Sequence, residues 1–273
     1  MTVLLWWPAG PLQRPGRGRG ASMNRSGLLS GAMTEAQAAP AEGGGTVLSL
    51  TERALRRWLI GAIAVLLAGQ IGVVYSTLVF GHDSMQGILW LFTFGRESNI
   101  PTWYTAVLLL ASAGAAFLCL QADGAGRRRR YWTGLVIIFL YLSVDEAAEI
   151  HELVGRLATF IKATGVLYYR WVLPFGLLAL AIGCVYLRFL FLLPRDVALL
   201  FFVGGVLYVA GAIGFEILGA LEAEAFRYRN LPMLVYVTIE ETFEMGGPSL
   251  FLYGAHRYLQ RAGASVRLVF HGD

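Results

Sequence analysis

The stretch LVIIFLYLSVDEAAEIHE, Leu135–Glu152, decides what kind of fold this chain can have. Its first eight residues carry no polar group except a tyrosine hydroxyl. From Asp145 to Glu152 it then sets four carboxylates and a histidine into a single short stretch. The first half matches hydrocarbon, whereas charge at membrane depth is costly and marks ion paths or binding sites. The rest of the chain settles which solvent the stretch meets. The protein has 273 residues, 56% of them hydrophobic and 15% charged, with a mean hydropathy of +0.59. A soluble domain carries about a quarter charged residues. Runs of about twenty apolar residues are long enough to cross a 30 Å hydrocarbon core. Six such runs occur, at 57–80, 101–121, 131–152, 171–193, 197–220 and 232–256. The expected fold class is therefore all-α, a six-transmembrane-helix bundle in contact with the lipid bilayer.

Residues 1–52 read differently. They are rich in Gly, Ala, Pro and Arg, as in PGRGRG at Pro15–Gly20, and cannot bury enough surface to fold. A disordered cytoplasmic tail is expected there, then a helical domain over 53–260 and a short cytoplasmic tail over 261–273. Met23 and Met33 are alternative starts to Met1. Cys119 and Cys184 lie in apolar runs without metal-type spacing and read as packing residues.

The net charge of +4 and the run Arg127–Arg130 do not point to nucleic acid. Positive residues that flank spanning helices follow from the positive-inside rule. With both termini inside, most of the 22 Lys and Arg fall on the inner side, and the acidic residues crowd toward the outer one. At 1.5 Å per residue Asp145 lies about 21 Å along an outward-running helix, and Glu240 about 12 Å below the outer surface.

The acidic stretch has a partner. YLSVDEAAEI at Tyr141–Ile150 aligns without gaps with YVTIEETFEM at Tyr236–Met245. Each copy falls in the last helix of a three-helix half. Two inverted three-helix repeats would have that arrangement, with ion sites at the repeat interface. The halves share nothing outside this window, so a bundle without an internal repeat stays open. On a helix turning about 100° per residue, Asp145, Glu149 and Glu152 share one stripe, Glu146 flanks it and His151 points away. Glu240 and Glu244 form the second stripe with Glu241 beside it, and a kink is expected at Gly246–Pro248.

Acids at helix ends are ordinarily solvated, which accounts for Glu222 and Glu224 and applies to Glu152. For Asp145, Glu149, Glu240 and Glu244 it is a poorer account. An acid at the bilayer centre costs about 2.5–3.5 kcal/mol, so four unpaired ones would cost on the order of 10 kcal/mol. The only arginines in the runs, Arg57 and Arg188, sit near run ends, so no intramembrane Lys or Arg is available to neutralise them, which leaves protonation, a wet cavity or a bound cation. The expected ligand set for a divalent metal cation is Asp145, Glu149, Glu240 and Glu244, with Glu152 and Glu216 as further ligands, since oxygen-rich sites suit Mg, Ca or Mn. Glu146, Glu241, His151 and Glu97 are flanking or proton-coupling candidates. A break in the third helix would bring His151 inward, and His82 with Asp83 is a second outer histidine candidate. His256 and His271 lie on the inner side.

In RESNIPTWY, Arg96–Tyr104, Ser98 or Asn99 can cap the second helix with Pro101 in its first turn. The preceding GILWLF looks like an interfacial or re-entrant segment. Gly204, Gly205, Gly211, Gly214 and Gly219 permit close helix approach in the fifth run.

The pairing of NIPTWY with DEAAEIHE resembles an uncharacterised family of bacterial multi-pass membrane proteins, over residues 55–258. That resemblance implies a six-helix protein of the bacterial cytoplasmic membrane and brings no activity with it. The likeness to carboxylate-motif cation exchangers is one of plan alone, and four histidines are too few for a histidine-box hydroxylase. The leading expectation is a cation site, for a divalent metal or a proton, serving transport or exchange. Its ligand, a small ion or small molecule, would enter from the extracytoplasmic side. The alternatives are a metal-dependent membrane enzyme, hydrolase or oxidoreductase, opening outward, and a non-catalytic subunit or assembly factor of a membrane complex. No organic cofactor is signalled.

Overall fold

The computed structural model describes residues 46–47, 51–81, 88–124, 126–226, 230–264 and 267–268. The chain divides into one unit over Leu50–Ala264 and a second made of Met1–Ser49 with Ser265–Asp273. Within the second unit β1 (Thr46–Val47) pairs antiparallel with β2 (Arg267–Leu268), so the segments expected to be tails hold a short ladder. The rest of the expected N-terminal tail up to Leu50, together with His82, Asp83 and His271, lies outside the described residues.

The larger unit is helical. α1 (Glu52–Phe80) starts inside the expected tail because Thr51 caps it, its hydroxyl accepting from Ala54 N at 3.2 Å. A 3-10 turn over Leu89–Phe92 follows, then α2 (Ile100–Asp123). Next come α3 (Arg129–Ala148), α4 (Ile150–Leu157), a 3-10 turn at Gly165–Leu167 and α5 (Val172–Leu190). α6 (Arg195–Val209) runs through a π-helical segment, Ala210–Phe215, into α7 (Glu216–Phe226). α8 (Leu231–Arg261) ends the unit. Among the described residues five helical segments are long and apolar enough to cross a membrane: α1, α2, α3, α5 and the continuous rod from Arg195 to Phe226. The sixth expected run is α8, set apart by Glu240, Glu241 and Glu244 near its middle.

The caps have a common chemistry. Asn99 accepts from Thr102 N at 3.1 Å and Asn230 from Met233 N at 3.0 Å, each with a proline in the first turn behind it. Asn99 thus takes the capping role, while Ser98 adopts a left-handed φ of 61° that makes the turn before it.

α8 is the axial helix. It packs against α1, α2, α6, the π-helical segment and α7, while α2 packs against α3. This position suits its composition, because α8 carries Glu240, Glu241 and Glu244 near its middle, where exposure to lipid would cost most. Two hydrophobic clusters hold the unit. One joins Trp132, Phe189, Phe201, Phe251 and Tyr258, with the Trp132 and Phe189 rings edge to face at 5.0 Å. The other joins Leu66, Phe94, Leu108 and Met245.

Between α6 and α8 the backbones themselves touch. A Cβ on Gly247 would lie 2.7 Å from Gly204 O, and one on Gly211 would lie 2.8 Å from Glu240 O. Of the five glycines expected to allow close approach, Gly204 and Gly211 do so, Gly219 meets Met233, and Gly205 and Gly214 face open space. α8 runs unbroken through Gly246–Pro248. Since Pro248 lacks an N–H, the Glu244 carbonyl loses its helical donor there.

The third expected run, 131–152, is not one helix. Glu149 takes φ 52° and ψ 42°, ending α3 and starting α4. The two copies of the acidic motif therefore differ locally, since the first crosses a break and the second stays helical.

Candidate carboxylate site

The site begins at that break. A left-handed residue redirects the chain, so α4 no longer continues the helical wheel of α3. His151, which a straight helix would point away, lies on Asp145: its backbone N–H donates to Oδ1 at 2.8 Å and its Nδ1 lies 3.1 Å from Oδ2. The ring also meets the Trp171 indole edge on, at 4.8 Å between centroids. α4 reaches this position because Gly155 lets it lie against Trp171, where a Cβ would come within 3.3 Å of the tryptophan Cβ. Trp171 is 8% exposed, and its Nε1 has no hydrogen-bond partner.

Asp145 thus faces His151 rather than the acids of α8, which corrects the expected pairing of stripes. Glu146, expected at the flank, makes that connection and sits among Glu241, Glu97 and Asp145. Glu244 lies near Glu146, Glu241 and Glu216, and beside the Tyr208 hydroxyl. Glu240 lies beside Glu216, Glu244 and Glu241. Glu216 follows the π-helical segment directly and is flanked by Glu240, His151, Glu152 and the Trp171 indole. The extra residue in that π turn swings α7 relative to α6. Glu146, Glu216, Glu240, Glu241 and Glu244 are thus electrostatic neighbours drawn from α3, α7 and α8.

Their individual roles diverge. Gly95 N donates to Glu241 Oε1 at 2.8 Å, whereas Oε2 is buried without a partner. Glu241 therefore anchors the loop ahead of α2, as does Gln70, which accepts from Phe94 N at 3.0 Å and donates to Thr238 at 3.0 Å. Glu149 serves as the hinge. Glu152 has Arg156 at 3.9 Å, an exposed pair of little energetic weight. Glu222 and Glu224 hold loops, through Asn230 and through Gly165 N respectively.

The charged neighbours of Glu146, Glu240 and Glu244 are carboxylates. Outside the long helices, Glu97 is held above the usual carboxylate range, first by partial desolvation and then by the charges of Glu149, Glu152 and Asp145, while His151 acts in the opposite sense. Burial lowers the basicity of His151, but the hydrogen bond and charge of Asp145, with Glu152 and Glu97 behind it, outweigh that and raise its pKa above the ordinary value. Among the described residues no three His, Cys, Asp or Glu side chains are grouped so as to hold a metal ion.

Trp171, Tyr208 and Gln70 were not singled out by sequence reasoning. Gln70 had a signal, as an amide inside an apolar run. Trp171 and Tyr208 resemble ordinary interfacial or packing aromatics, and only the assembled fold turns them inward. One family model, described as a domain of unknown function (DUF8692), matches residues 58–259. No curated protein and no solved structure matches the chain.

Proposed function

The chain belongs to the DUF8692 family, and on that premise we propose that it is a six-span membrane protein whose carboxylate cluster binds and passes cations. The observation that carries this is the run of Glu146, Glu241, Glu244, Glu240 and Glu216, which are neighbours of one another and have one buried carboxylate oxygen with no partner. Carboxylates so crowded cannot all ionise without a counter-charge. Side-by-side carboxyls share protons as a coupled set, so the proton is the cation that suits the pairs best. A divalent metal remains the other candidate, which further groups would have to complete. A helix break at Glu149 and a π-helical segment at Ala210–Phe215 flank the acids. Secondary transporters use broken helices in this way to expose ion sites.

Flux into proteoliposomes tests the proposal. Protein carrying Glu216→Gln with Glu244→Gln should lose most of the pH-gradient dissipation of the unaltered chain. Equal dissipation in both, with no metal-dependent flux, would sink the transport proposal. A second reading rests on the Asp145–His151 pair, whose geometry is that of a base held by a carboxylate. In that case the chain is a metal-dependent enzyme working from the outer side. Stoichiometric bound metal lost on Asp145→Asn, without ion flux, would favour it.

A further inference from the structure

A second feature lies at the other end of α3, about 25 Å along the helix from Asp145 at 1.5 Å per residue. Two adjoining surface grooves meet at Arg130. One, of about 710 Å³, is lined by Gly126, Arg127, Arg129, Arg130 and Thr133. The other, of about 530 Å³, runs between α3 and α5 past Tyr131, Cys184, Val185 and Tyr186 to Arg188. Tyr186 closes its floor by donating to Tyr131 O at 2.9 Å.

Three arginines at this end are matched by acids. Arg128 binds Asp123, and Arg257 and Arg261 bind Asp196. Arg127, Arg129, Arg130 and Arg188 are exposed and have no carboxylate partner among the described residues. Arg129 reaches only Gly124 O at 3.5 Å, and Arg130 lies over the Tyr131 ring at 5.1 Å. The trough thus joins a cationic mouth, to which Arg188 adds a further arginine, to a wall of exposed Cys184 and Val185.

We propose that this trough is a binding site for an anionic phospholipid, with its headgroup phosphate among Arg127, Arg129, Arg130 and Arg188 and its acyl chain along the α3–α5 wall past Cys184 and Val185. Charge complementarity and the continuity of basic mouth with apolar wall select a lipid over a soluble anion, which would leave the wall uncovered. Basic pockets between spanning helices take such headgroups. The inference rests on the membrane-spanning part of the proposed function and not on its cation chemistry.

The test is tryptophan quenching in full-length protein carrying Cys184→Trp, reconstituted with brominated phosphatidylglycerol or brominated phosphatidylcholine. The expected result is stronger quenching by the glycerol lipid, with its relative affinity falling about fivefold for each arginine removed in Arg130→Gln and Arg188→Gln. Should those variants fail to fold, the selectivity of Cys184→Trp should still collapse as salt is raised. Equal quenching by the two lipids overturns the proposal while leaving the membrane-spanning assignment intact. Quenching by neither overturns both. Displacement of the glycerol lipid by millimolar inorganic phosphate would make the mouth a soluble-anion site and overturn the assignment to lipid.

Discussion

At Asp145 one carboxylate holds one histidine by two bonds, from the backbone N–H and from the ring. The His151 and Asp145 side chains are largely buried, at 21% and 13% exposed, so the pair is not screened as a surface bridge would be. The raised pKa of the histidine gives the pair a defined pH dependence. The contribution of His151 is fully present below about pH 6.5, its ordinary value, and is lost as pH rises through the higher folded-state value. Glu97, also raised, acts with the same sign, because ionising it costs the folded state. Thermal unfolding in detergent should therefore give a lower Tm at pH 8.5 than at pH 6, with part of that slope absent from His151→Asn. At pH 6 that substitution should cost about 1.5–3 kcal/mol, the range for a hydrogen bond to a charged group. A slope identical in the variant would remove His151 from the account. The helical wheel placed His151 on the wrong side because a wheel assumes that the helix continues, and one left-handed residue between Asp145 and His151 cancels that assumption.

At the scale of elements, two devices shape the site. The first is the break between α3 and α4. A glutamate at φ 52° carries a strain that glycine lacks, typically about 1–2 kcal/mol. Glu149→Gly should raise the stability of purified protein by about 1 kcal/mol while changing flux, the pattern expected where strain is kept for function. Lower stability would mean that the Glu149 carboxylate holds the hinge by contacts of its own. The second device is the glycine seam between α6 and α8. A methyl group at Gly247 would meet the Gly204 carbonyl and the Tyr208 Cβ, both at 2.7 Å, and backbone cannot step aside as a side chain can. Gly247→Ala should cost about 1–3 kcal/mol, as overpacking does. It should also reduce flux by moving Glu240 and Glu244 away from Glu216. Gly205→Ala, facing open space, serves as the control and should leave flux unchanged while raising stability by about 0.5–1 kcal/mol. The seam was legible in part, since small residues in an apolar helix signal close approach. Which of the five glycines touch was not, because that depends on the rotation of α6 about its own axis.

At the scale of the whole molecule, the helices separate two polar ends. One end holds Asp123, Asp196 and Glu52 with arginines and tyrosines: Arg128 on Asp123, Arg261 on Asp196, and the Tyr253 hydroxyl bound to Glu52. The other holds the carboxylate cluster with few cations. On the six-span proposal both chain ends fall on one side, and the arginine-rich end should be cytoplasmic by the positive-inside rule. Reporter fusions at the two termini should both be active as cytoplasmic reporters; opposite locations would leave an odd number of crossings and remove α8 from the spanning set.

The sequence by itself determined the helical class, the positions of the long apolar runs and the set of acids that had to be accommodated. Each of these is local or compositional, since hydrophobic length and the cost of intramembrane charge act wherever the segment lies. Only the tertiary structure decided which acids meet. It put Glu146 rather than Asp145 opposite α8, gave Asp145 to His151, tied Glu241 to the loop at Gly95, and brought Trp171 and Tyr208 to the cluster. Those outcomes turn on a single left-handed residue, one π turn and a backbone contact between glycines, small local departures that rotate whole helices and that periodicity does not register.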